Sequence, residues 1–216
     1  MTTIGVVALQ GAVSEHVALL TALGATVRQV RTPGGLDGLD GVVLPGGEST
    51  AMARAAAKVG LFEELRSRRA GGLPVFGTCA GLILLAEQVE DGEALSGFTT
   101  VGGLDIRTRR NAFGGQLASF TADLEVDGLE GAPFPAVFIR APQVVEVNAG
   151  VQVLARTSGA GQADEGPIVA VRQGNVLATA FHPELTRDDR LHRFFLQMCR
   201  DRVDAAVSPQ VESATV

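Results

Sequence analysis

The sequence predicts an α/β fold of three layers, with a mainly parallel central sheet, flanking helices and an antiparallel portion in the second half. In the first half, short aliphatic runs alternate with helical stretches, as in the βαβ units that build parallel sheets. In the second half, short alternating runs are separated by Gly and Asn, which is typical of antiparallel strands. Hydrophobic residues make up 46% of the 216 residues, which is enough for a buried core.

The first half opens with residues 4–9, an aliphatic run typical of a buried strand. A helix is predicted over 14–23, with Ser14 as its N-cap and Gly24 as its stop. The alternation then continues towards the middle of the chain. Further strands are predicted at 26–30, 41–44 and 74–76, and further helices at 49–59, 61–69 and 82–86.

The second half is predicted to consist mostly of strands, followed by one closing helix. The predicted strands are 117–120, 136–139, 151–155, 168–171 and a buried one at 176–181. The segment 188–202 has the periodicity of an amphipathic helix. Because the chain has no repeat and no clear linker, we expect a single domain over 1–203. The tail 204–216 lacks a periodic pattern, and we expect it to be disordered.

Composition and charge argue against several classes of function. The formal net charge is −6 with no basic block, which argues against a nucleic-acid partner. No apolar run approaches the roughly 18 residues of a membrane span, and the N-terminus lacks the pattern of a signal peptide. Cys79 and Cys199 lie in different contexts, so we do not expect a disulfide between them. Low cysteine content fits a reducing compartment, and we expect a cytoplasmic protein.

The most informative residue is Cys79, which follows an apolar strand and lies within the segment GTCAG at 77–81. This is the pattern of a nucleophile on a tight strand-to-helix turn, with a thiol in place of a hydroxyl. The dipole of the helix that follows favours the thiolate, which is the nucleophilic form. The alternative is a small core residue, a common role for a lone cysteine after a strand.

A partner for this thiol follows the last predicted strand. His182 belongs at the carboxyl end of that strand, and Glu184 can reach the far nitrogen of its ring. Cys, His and Glu then supply the nucleophile, base and orienting group of an acyl-transfer site. The alternative is an ordinary turn at residues 182–184, but the joint occurrence of both features favours the site. His16 and His192 lie inside predicted helices, and we expect them to be solvated or half-buried.

Acyl transfer also needs hydrogen-bond donors for a developing oxyanion. The backbone N–H of Ala80 is one candidate, and the turn formed by Gly46 and Gly47 on a neighbouring strand is another. Adjacent glycines let the peptide between them reorient, although an ordinary tight turn is the alternative. Ser49 is either the N-cap of the next helix or a contact to substrate. No Cys/His cluster has metal-ligand spacing, and we expect neither a metal nor a cofactor.

Five segments carry a closer resemblance. The cysteine turn and the distal His-x-Glu resemble the class I (triad) glutamine amidotransferases in general. The whole set resembles the glutaminase subunit of pyridoxal 5'-phosphate synthase, the PdxT family, from about residue 3 to residue 202. The segments are GVVALQGA at 5–12, LPGGEST at 44–50, FGTCAGLI at 76–83, FIRAP at 138–142 and FHPELT at 181–186.

The resemblance implies the fold of those amidotransferases and the hydrolysis of L-glutamine to L-glutamate and ammonia. The ammonia would pass to a synthase partner, PdxS, in a large hetero-oligomer that makes pyridoxal 5'-phosphate from ribose 5-phosphate and glyceraldehyde 3-phosphate. Cys79, His182 and Glu184 would form the triad. The implied glutamine-binding residues are Gly47, Glu48, Ser49, Ile139, Arg140 and Arg110, the last within RNAFG at 110–114.

Two features depart from the family pattern. The family usually has Arg or Lys after Phe-Gly in the RNAFG motif, and here Gly115 stands in that place. The segment 148–165 is longer and richer in Gly and Ala than we expect of the family, which is typical of a surface loop insertion.

Three other functions fit parts of the pattern. Another triad amidotransferase could feed a different synthase, although the segments GGES and IRAP argue against it. A γ-glutamyl hydrolase would act without any partner. A thiol redox sensor or chaperone on a related fold would need an exposed cysteine but would have no use for His182 and Glu184.

Overall fold

A computed structural model describes residues 1–110, 112, 119–158 and 166–207 of the chain. Its helices are α1 Val13–Ala22, α2 Ser49–Ala57, α3 Leu61–Ala70, α4 Ala80–Leu85 and α5 Arg190–Val207. Its strands are β1 Thr3–Val7, β2 Thr26–Val30, β3 Gly41–Leu44, β4 Val75–Thr78, β5 Ala86–Val89, β6 Leu104–Arg109, β7 Ser119–Leu124, β8 Phe134–Ile139, β9 Gln143–Val147, β10 Gln152–Arg156, β11 Ile168–Gln173 and β12 Val176–Thr179.

One large sheet runs through the molecule in the order β2-β1-β3-β4-β12-β11-β9-β6-β5, with β10 paired to β11. The strands from β2 to β12 in this order are parallel, whereas β12, β11, β9 and β6 pair antiparallel. Strands β7 and β8 form a separate antiparallel pair. The predicted division into a parallel first half and a partly antiparallel second half is therefore confirmed.

The side chains of β4 show the layers on either side of the sheet. Successive residues of a strand point to opposite faces. Phe76 packs against aromatic rings of α5, and Thr78 lies 3.2 Å from a side chain of α1. Gly77, between them, faces α4, where an added Cβ would lie 2.5 Å from a leucine methyl group. Helices therefore cover both faces of the sheet.

The core of the described residues is aliphatic, with phenylalanine as its large side chain. This agrees with a composition that contains no Trp and no Tyr. The fully buried phenylalanines are Phe62, Phe76, Phe134, Phe138, Phe181 and Phe195. No helix in the described ranges combines the length and the apolar character that a membrane crossing requires.

Most predicted elements are present, with ends displaced by a few residues. The helix expected at 14–23 is α1, but Ser14 is not its N-cap: Ala12 precedes the helix and makes no side-chain cap. Ser14 lies inside the first turn instead, with its hydroxyl bonded to Glu15. Gly24 follows the helix with a φ of 83°, a left-handed conformation, and the predicted stop is confirmed.

Three strands, β5, β6 and β9, are absent from the sequence-based assignment. Strand β6 has the alternation that predicts a strand, because Leu104, Ile106 and Thr108 are all buried. Strand β5 begins at Ala86, which the apolar run had placed in the preceding helix. Strand β10 corresponds to the strand predicted at 151–155 and lies within the segment 148–165 that was expected to be a loop insertion, of which 159–165 fall outside the described residues.

Several predictions concern residues at the ends of the described ranges or outside them. Helix α5 continues to Val207, past the expected domain boundary at residue 203. Residues 208–216 of the expected tail, residues 117 and 118 of one predicted strand, and Gly115 lie outside the described residues.

We predict that Gly81→Ala destabilises the protein. Helix α4 crosses the end of β3 so closely that a Cβ at position 81 would lie 2.2 Å from the carbonyl oxygen of Leu44. The backbone must shift to relieve this overlap, which costs about 1–3 kcal/mol. Chemical denaturation measures the free energy of unfolding. Gly34→Ala is the matched control, since an added Cβ there meets nothing within 4 Å, and an equal loss in both variants would contradict the prediction.

Candidate active site

A cleft of about 270 Å³ opens where β3, β4 and β12 end. In a parallel sheet the carboxyl ends of neighbouring strands meet at one edge, which is where such folds bind ligands. The predicted site residues that line the cleft are Gly47, Glu48, Ser49, Cys79, Ala80, Arg110, Ile139, Arg140 and His182. Gly46 and Glu184 lie directly behind this wall, against the ring of His182.

Cys79 sits at the turn between β4 and α4 with a φ of 49°, a conformation that residues other than glycine rarely adopt. Its backbone N–H donates to the carbonyl of Thr179 at 2.8 Å, and its carbonyl accepts from Leu82 at 3.1 Å. A Cβ at Gly77 would lie 2.7 Å from the backbone of Gly81, so both small residues are needed for the turn. The strained turn directs the side chain into the cleft.

His182 faces Cys79 from the end of β12. Its backbone N–H donates to the carbonyl of Val137 at 2.8 Å, which fixes the chain beyond the strand. Its Nδ1 lies 2.7 Å from Oε1 of Glu184, whose side chain is fully buried. The ring also lies beside Cys79, since a Cβ added at Gly46 would lie 2.3 Å from Cε1 of His182 and 3.3 Å from Cβ of Cys79. The structure thus brings the three side chains together in the order Cys–His–Glu.

The charges around His182 favour its protonated form. Burial alone would lower the pKa of His182, but hydrogen bonds to Cys79 and Glu184, and the charges of both, raise it to about 10. An imidazolium beside a thiol stabilises the thiolate, which is the nucleophile. The site therefore places a protonated imidazole beside the thiol, with a buried carboxylate behind it.

The backbone turn at Gly46 lies directly against the side chains of His182 and Cys79. A Cβ at position 46 would lie 2.3 Å from Cε1 of His182 and 3.3 Å from Cβ of Cys79. The carbonyl of Gly46 accepts a hydrogen bond from the N–H of Ala12 at 3.0 Å, which anchors the turn to the loop after β1. Residue 46 must therefore be glycine for the imidazole to reach the thiol.

Glu48, rather than Ser49, is the N-cap of α2. Its carboxylate accepts from the backbone N–H groups of Thr50 and Ala51 at 3.0 and 2.6 Å, and Ser49 is the first helical residue. Burial opposes ionisation of Glu48, but these two N–H groups, and the charge of Arg110, hold its pKa below the usual value. The N-cap interpretation of Ser49 was wrong, and Ser49 is left buried at the cleft wall.

The opposite wall of the cleft combines a cation with a strained backbone. Nη2 of Arg110 lies 3.5 Å from Oε1 of Glu48, so opposite charges meet across the cleft. Arg140 has a φ of 43°, and the carbonyl of the preceding Ile139 lies 3.9 Å from Sγ of Cys79. Strain of this kind in a residue other than glycine is common at functional sites.

Sequence reasoning missed two residues that line the cleft, Gln10 and Ile83. Oε1 of Gln10 accepts a hydrogen bond from the N–H of Glu48 at 2.6 Å and thereby supports the turn beside the thiol. Gln10 lies just after β1, so its position beyond a parallel strand was a signal that could have indicated it. Ile83 lies one turn into α4 and carries no such signal.

The expectation for the two other histidines was wrong. His16 and His192 are fully buried rather than solvated or half-buried. Burial, with the charges of His192 and His182, lowers the pKa of His16 well below its usual value. Burial likewise lowers the pKa of His192 to about 4. Both rings are therefore neutral at physiological pH. Cys79 and Cys199 are free thiols, as expected.

A thiol on a strand-to-helix turn, backed by histidine and glutamate at the next strand end, defines the class of triad thiol hydrolases and transferases. Residues 6–201 match the model of the SNO glutamine amidotransferase family. The chain belongs to this family. No group of three or more potential metal ligands is clustered among the residues that the structure describes.

Two relatives and a solved structure agree with membership of the SNO glutamine amidotransferase family. The pyridoxal 5'-phosphate synthase subunit PdxT of Streptomyces coelicolor is 52% identical over 197 residues, which cover 91% of this chain and 93% of the relative. The PdxT subunit of a Parafrankia species is 54% identical, covering 93% and 94%. A crystal structure of a glutamine amidotransferase, 45% identical, superposes with a TM-score of 0.81 and covers 91% of this chain and 98% of its own.

We predict that His182 makes the stability of the protein depend on pH between about 6.5 and 10. Below pH 6.5 the imidazole is protonated in both the folded and the unfolded chain. Between 6.5 and about 10 only the folded chain holds the proton of His182, so the contribution of this residue to the free energy of unfolding falls as pH rises. Denaturation of wild type and His182→Asn at several pH values measures this. The variant should lose stability less steeply over this range, and equal slopes would contradict the prediction.

Proposed function

We propose that this chain is the glutaminase subunit of a pyridoxal 5'-phosphate synthase. It hydrolyses L-glutamine to L-glutamate and ammonia, and the ammonia passes to the synthase partner. The observation that carries this proposal is the Cys79–His182–Glu184 arrangement at the end of the parallel strands. The family match and the relatives named PdxT support the choice of substrate and pathway.

The chemistry follows from the roles we assign to the three side chains. The thiolate of Cys79 attacks the side-chain amide carbon of glutamine, and the carbonyl electrons move to oxygen. When the C–N bond breaks, His182 gives its proton to the leaving nitrogen, and ammonia departs from a thioester. Water then attacks the thioester while His182 takes its proton. When the C–S bond breaks, glutamate departs, and the thiolate of Cys79 and the imidazolium of His182 are restored. Glu184 stabilises the imidazolium throughout.

Backbone groups near the thiol are suited to hold the transient oxyanion. Ala80 follows the nucleophile as the first residue of α4, where backbone N–H groups have no partner within the helix, and we assign its N–H as one donor. We assign the second donor to the turn of Gly46 and Gly47, which lies against His182 and Cys79. The hydrogen bond from Ala12 that holds the Gly46 carbonyl limits how this turn can reorient. In this proposal, binding of the synthase partner reorients the turn and so completes the oxyanion site.

The charges of the cleft match the two ends of the substrate. Glutamine carries an α-carboxylate and an α-ammonium group, and the cleft places Arg110 and Glu48 3.5 Å apart. We assign Arg110 to the carboxylate and Glu48 to the ammonium. Gly47, Ser49, Ile139 and Arg140 complete the glutamine site through the walls on either side of Cys79.

The partner, in this proposal, is the PdxS subunit that uses the ammonia, and the two form a large hetero-oligomer. The triad mechanism requires no metal or cofactor. Because a reactive thiolate must stay reduced, we place the protein in the cytoplasm. Neither nucleic acid nor a membrane is part of the proposed function.

The main test is glutamate release in the presence and absence of the synthase subunit. We predict that release is fast only in the mixture, and that pyridoxal 5'-phosphate accumulates with it. Cys79→Ala should abolish both products, because the thioester cannot form. Glutamate assays and the absorbance of pyridoxal 5'-phosphate are the measurements.

Each rival function gives a different result. Comparable turnover without the synthase indicates a hydrolase of the γ-glutamyl type and refutes dependence on the partner. In a thiol redox sensor, His182→Asn leaves the function of the thiol intact. In our proposal the same variant loses glutaminase activity, whereas Cys79 can still be oxidised.

We also predict that Arg110→Gln weakens glutamine binding. A charge-assisted hydrogen bond to a carboxylate contributes about 1.5–3 kcal/mol, so KM should rise roughly 10- to 100-fold. Arg110 contacts the non-reacting end of glutamine, so kcat should change little. Arg109→Gln is the matched control, because Arg109 is half-exposed and pairs with Glu90. A fall in kcat with unchanged KM would contradict the assignment.

A further inference from the structure

All three histidines of the chain lie in one buried row behind Cys79. His182 contacts Oε1 of Glu184 at 2.7 Å, and Nε2 of His16 lies 3.4 Å from Oε2 of the same carboxylate. Nδ1 of His16 then lies 3.0 Å from Nε2 of His192. The rings come from α1, the segment after β12, and α5, which are far apart in the sequence.

The contacts of the row favour one arrangement of the protons. Oε2 of Glu184 is buried and makes no hydrogen bond within the described residues, and Nε2 of His16 lies 3.4 Å from it. A carboxylate can only accept, so we place the proton of His16 on Nε2, which faces Glu184 and lies 3.2 Å from the hydroxyl oxygen of Thr78. Nδ1 of His16 is then an acceptor, and Nε2 of His192 must donate to it.

The far end of the row agrees with this assignment. If Nε2 of His192 carries the proton, its Nδ1 is a bare lone pair, and this atom has no hydrogen-bond partner in the described part of the chain. A second proton on His192 would lie unpaired in the core, although Asp189 favours it slightly. The ring packs edge-on against Phe76, which leaves it in apolar surroundings. In this arrangement His192 donates one hydrogen bond, from its Nε2 to Nδ1 of His16.

We propose that His16 is a positioning residue for the catalytic carboxylate, and that His192 fixes the tautomer in which His16 can act. This inference rests on the proposed glutaminase function and extends its triad to five side chains. His16 acts as a neutral N–H donor, because an imidazolium there would lie in the core close to His182 and His192. It holds Oε2 so that Oε1 stays aligned with Nδ1 of His182.

The physical reason is the burial of Glu184. A carboxylate oxygen without a donor in the core is strongly disfavoured, and it finds a partner by rotating or by taking up a proton. Rotation moves Oε1 away from His182, and protonation removes the negative charge that faces it. The imidazolium then loses its support, and with it the thiolate of Cys79. The donor at position 16 prevents both changes.

Two substitutions at position 16 separate this role from packing. In His16→Gln the amide nitrogen lies near the place of Nε2 and keeps a donor towards Glu184. In His16→Asn the amide nitrogen lies near the place of Nδ1 and cannot reach the carboxylate. We expect His16→Asn to lower kcat about 10- to 100-fold with KM unchanged, and His16→Gln to restore most of the rate. The assay uses the complete complex with the synthase.

A second readout does not depend on glutamine or on the partner. Alkylation of Cys79 by iodoacetamide reports the thiolate, and at pH 7 it should slow about 10-fold in His16→Asn but not in His16→Gln. A structural role alone predicts that both variants lose activity in proportion to their loss of stability, as measured by denaturation. That outcome, or alkylation of Cys79 in His16→Asn as fast as in the wild type, would overturn the proposal.

A third measurement uses the unmodified protein and remains valid if the variants fail to fold. Nitrogen NMR of the chain with ¹⁵N-labelled histidine shows three rings, since the chain has three histidines. We expect His16 and His192 as neutral Nε2–H tautomers and His182 as an imidazolium at pH 7. A His16 ring protonated on Nδ1 would overturn the proposal. Failure of the glutaminase assay with these tautomers present would refute the proposed function alone.

Discussion

The pairing of β4 with β12 is the constraint on which the rest of the structure depends. These strands are parallel and in register, with Gly77 opposite Ala178 and Thr78 opposite Thr179. Cys79 follows one strand, and His182 lies shortly beyond the other. The N–H of Cys79 continues the pairing by donating to the carbonyl of Thr179. A shift of one residue would turn each side chain to the opposite face and separate the thiol from the imidazole.

Close approach of backbone segments makes this geometry possible. The turn at Gly46 lies against the ring of His182, and α4 lies against the end of β3 at Gly81. Neither contact leaves room for a Cβ. The positive φ of Cys79 is tolerated because hydrogen bonds to the flanking strand and helix hold it. The site is thus built on strand ends and helix starts, which are more rigid than loops.

Charge is arranged in two zones. Beside the cleft, Glu48 and Arg110 are partly open to solvent and suit a zwitterionic ligand. Behind it, Glu184 is fully buried between two imidazoles, with Oε1 2.7 Å from Nδ1 of His182 and Oε2 3.4 Å from Nε2 of His16. A charge in the core is stable only when it is paired and fully hydrogen-bonded, so the buried zone tolerates few other arrangements. This explains why neutral histidines stand where the sequence alone indicated ordinary helix residues.

The sequence by itself determined the fold class, the cysteine turn and the pairing of His182 with Glu184, because these depend on local pattern and short spacing. Glycines around Cys79 indicate a tight turn, and the spacing of two positions between His182 and Glu184 places them within reach. The tertiary structure alone decided that Glu48 caps α2, that Gln10 supports the turn beside the thiol, and that His16 and His192 are buried behind Glu184. These contacts join residues 38 to 176 positions apart in the chain, or depend on which of two adjacent residues caps a helix. Packing of side chains between elements distant in the sequence determines these contacts, and the local periodicity of the sequence does not indicate them.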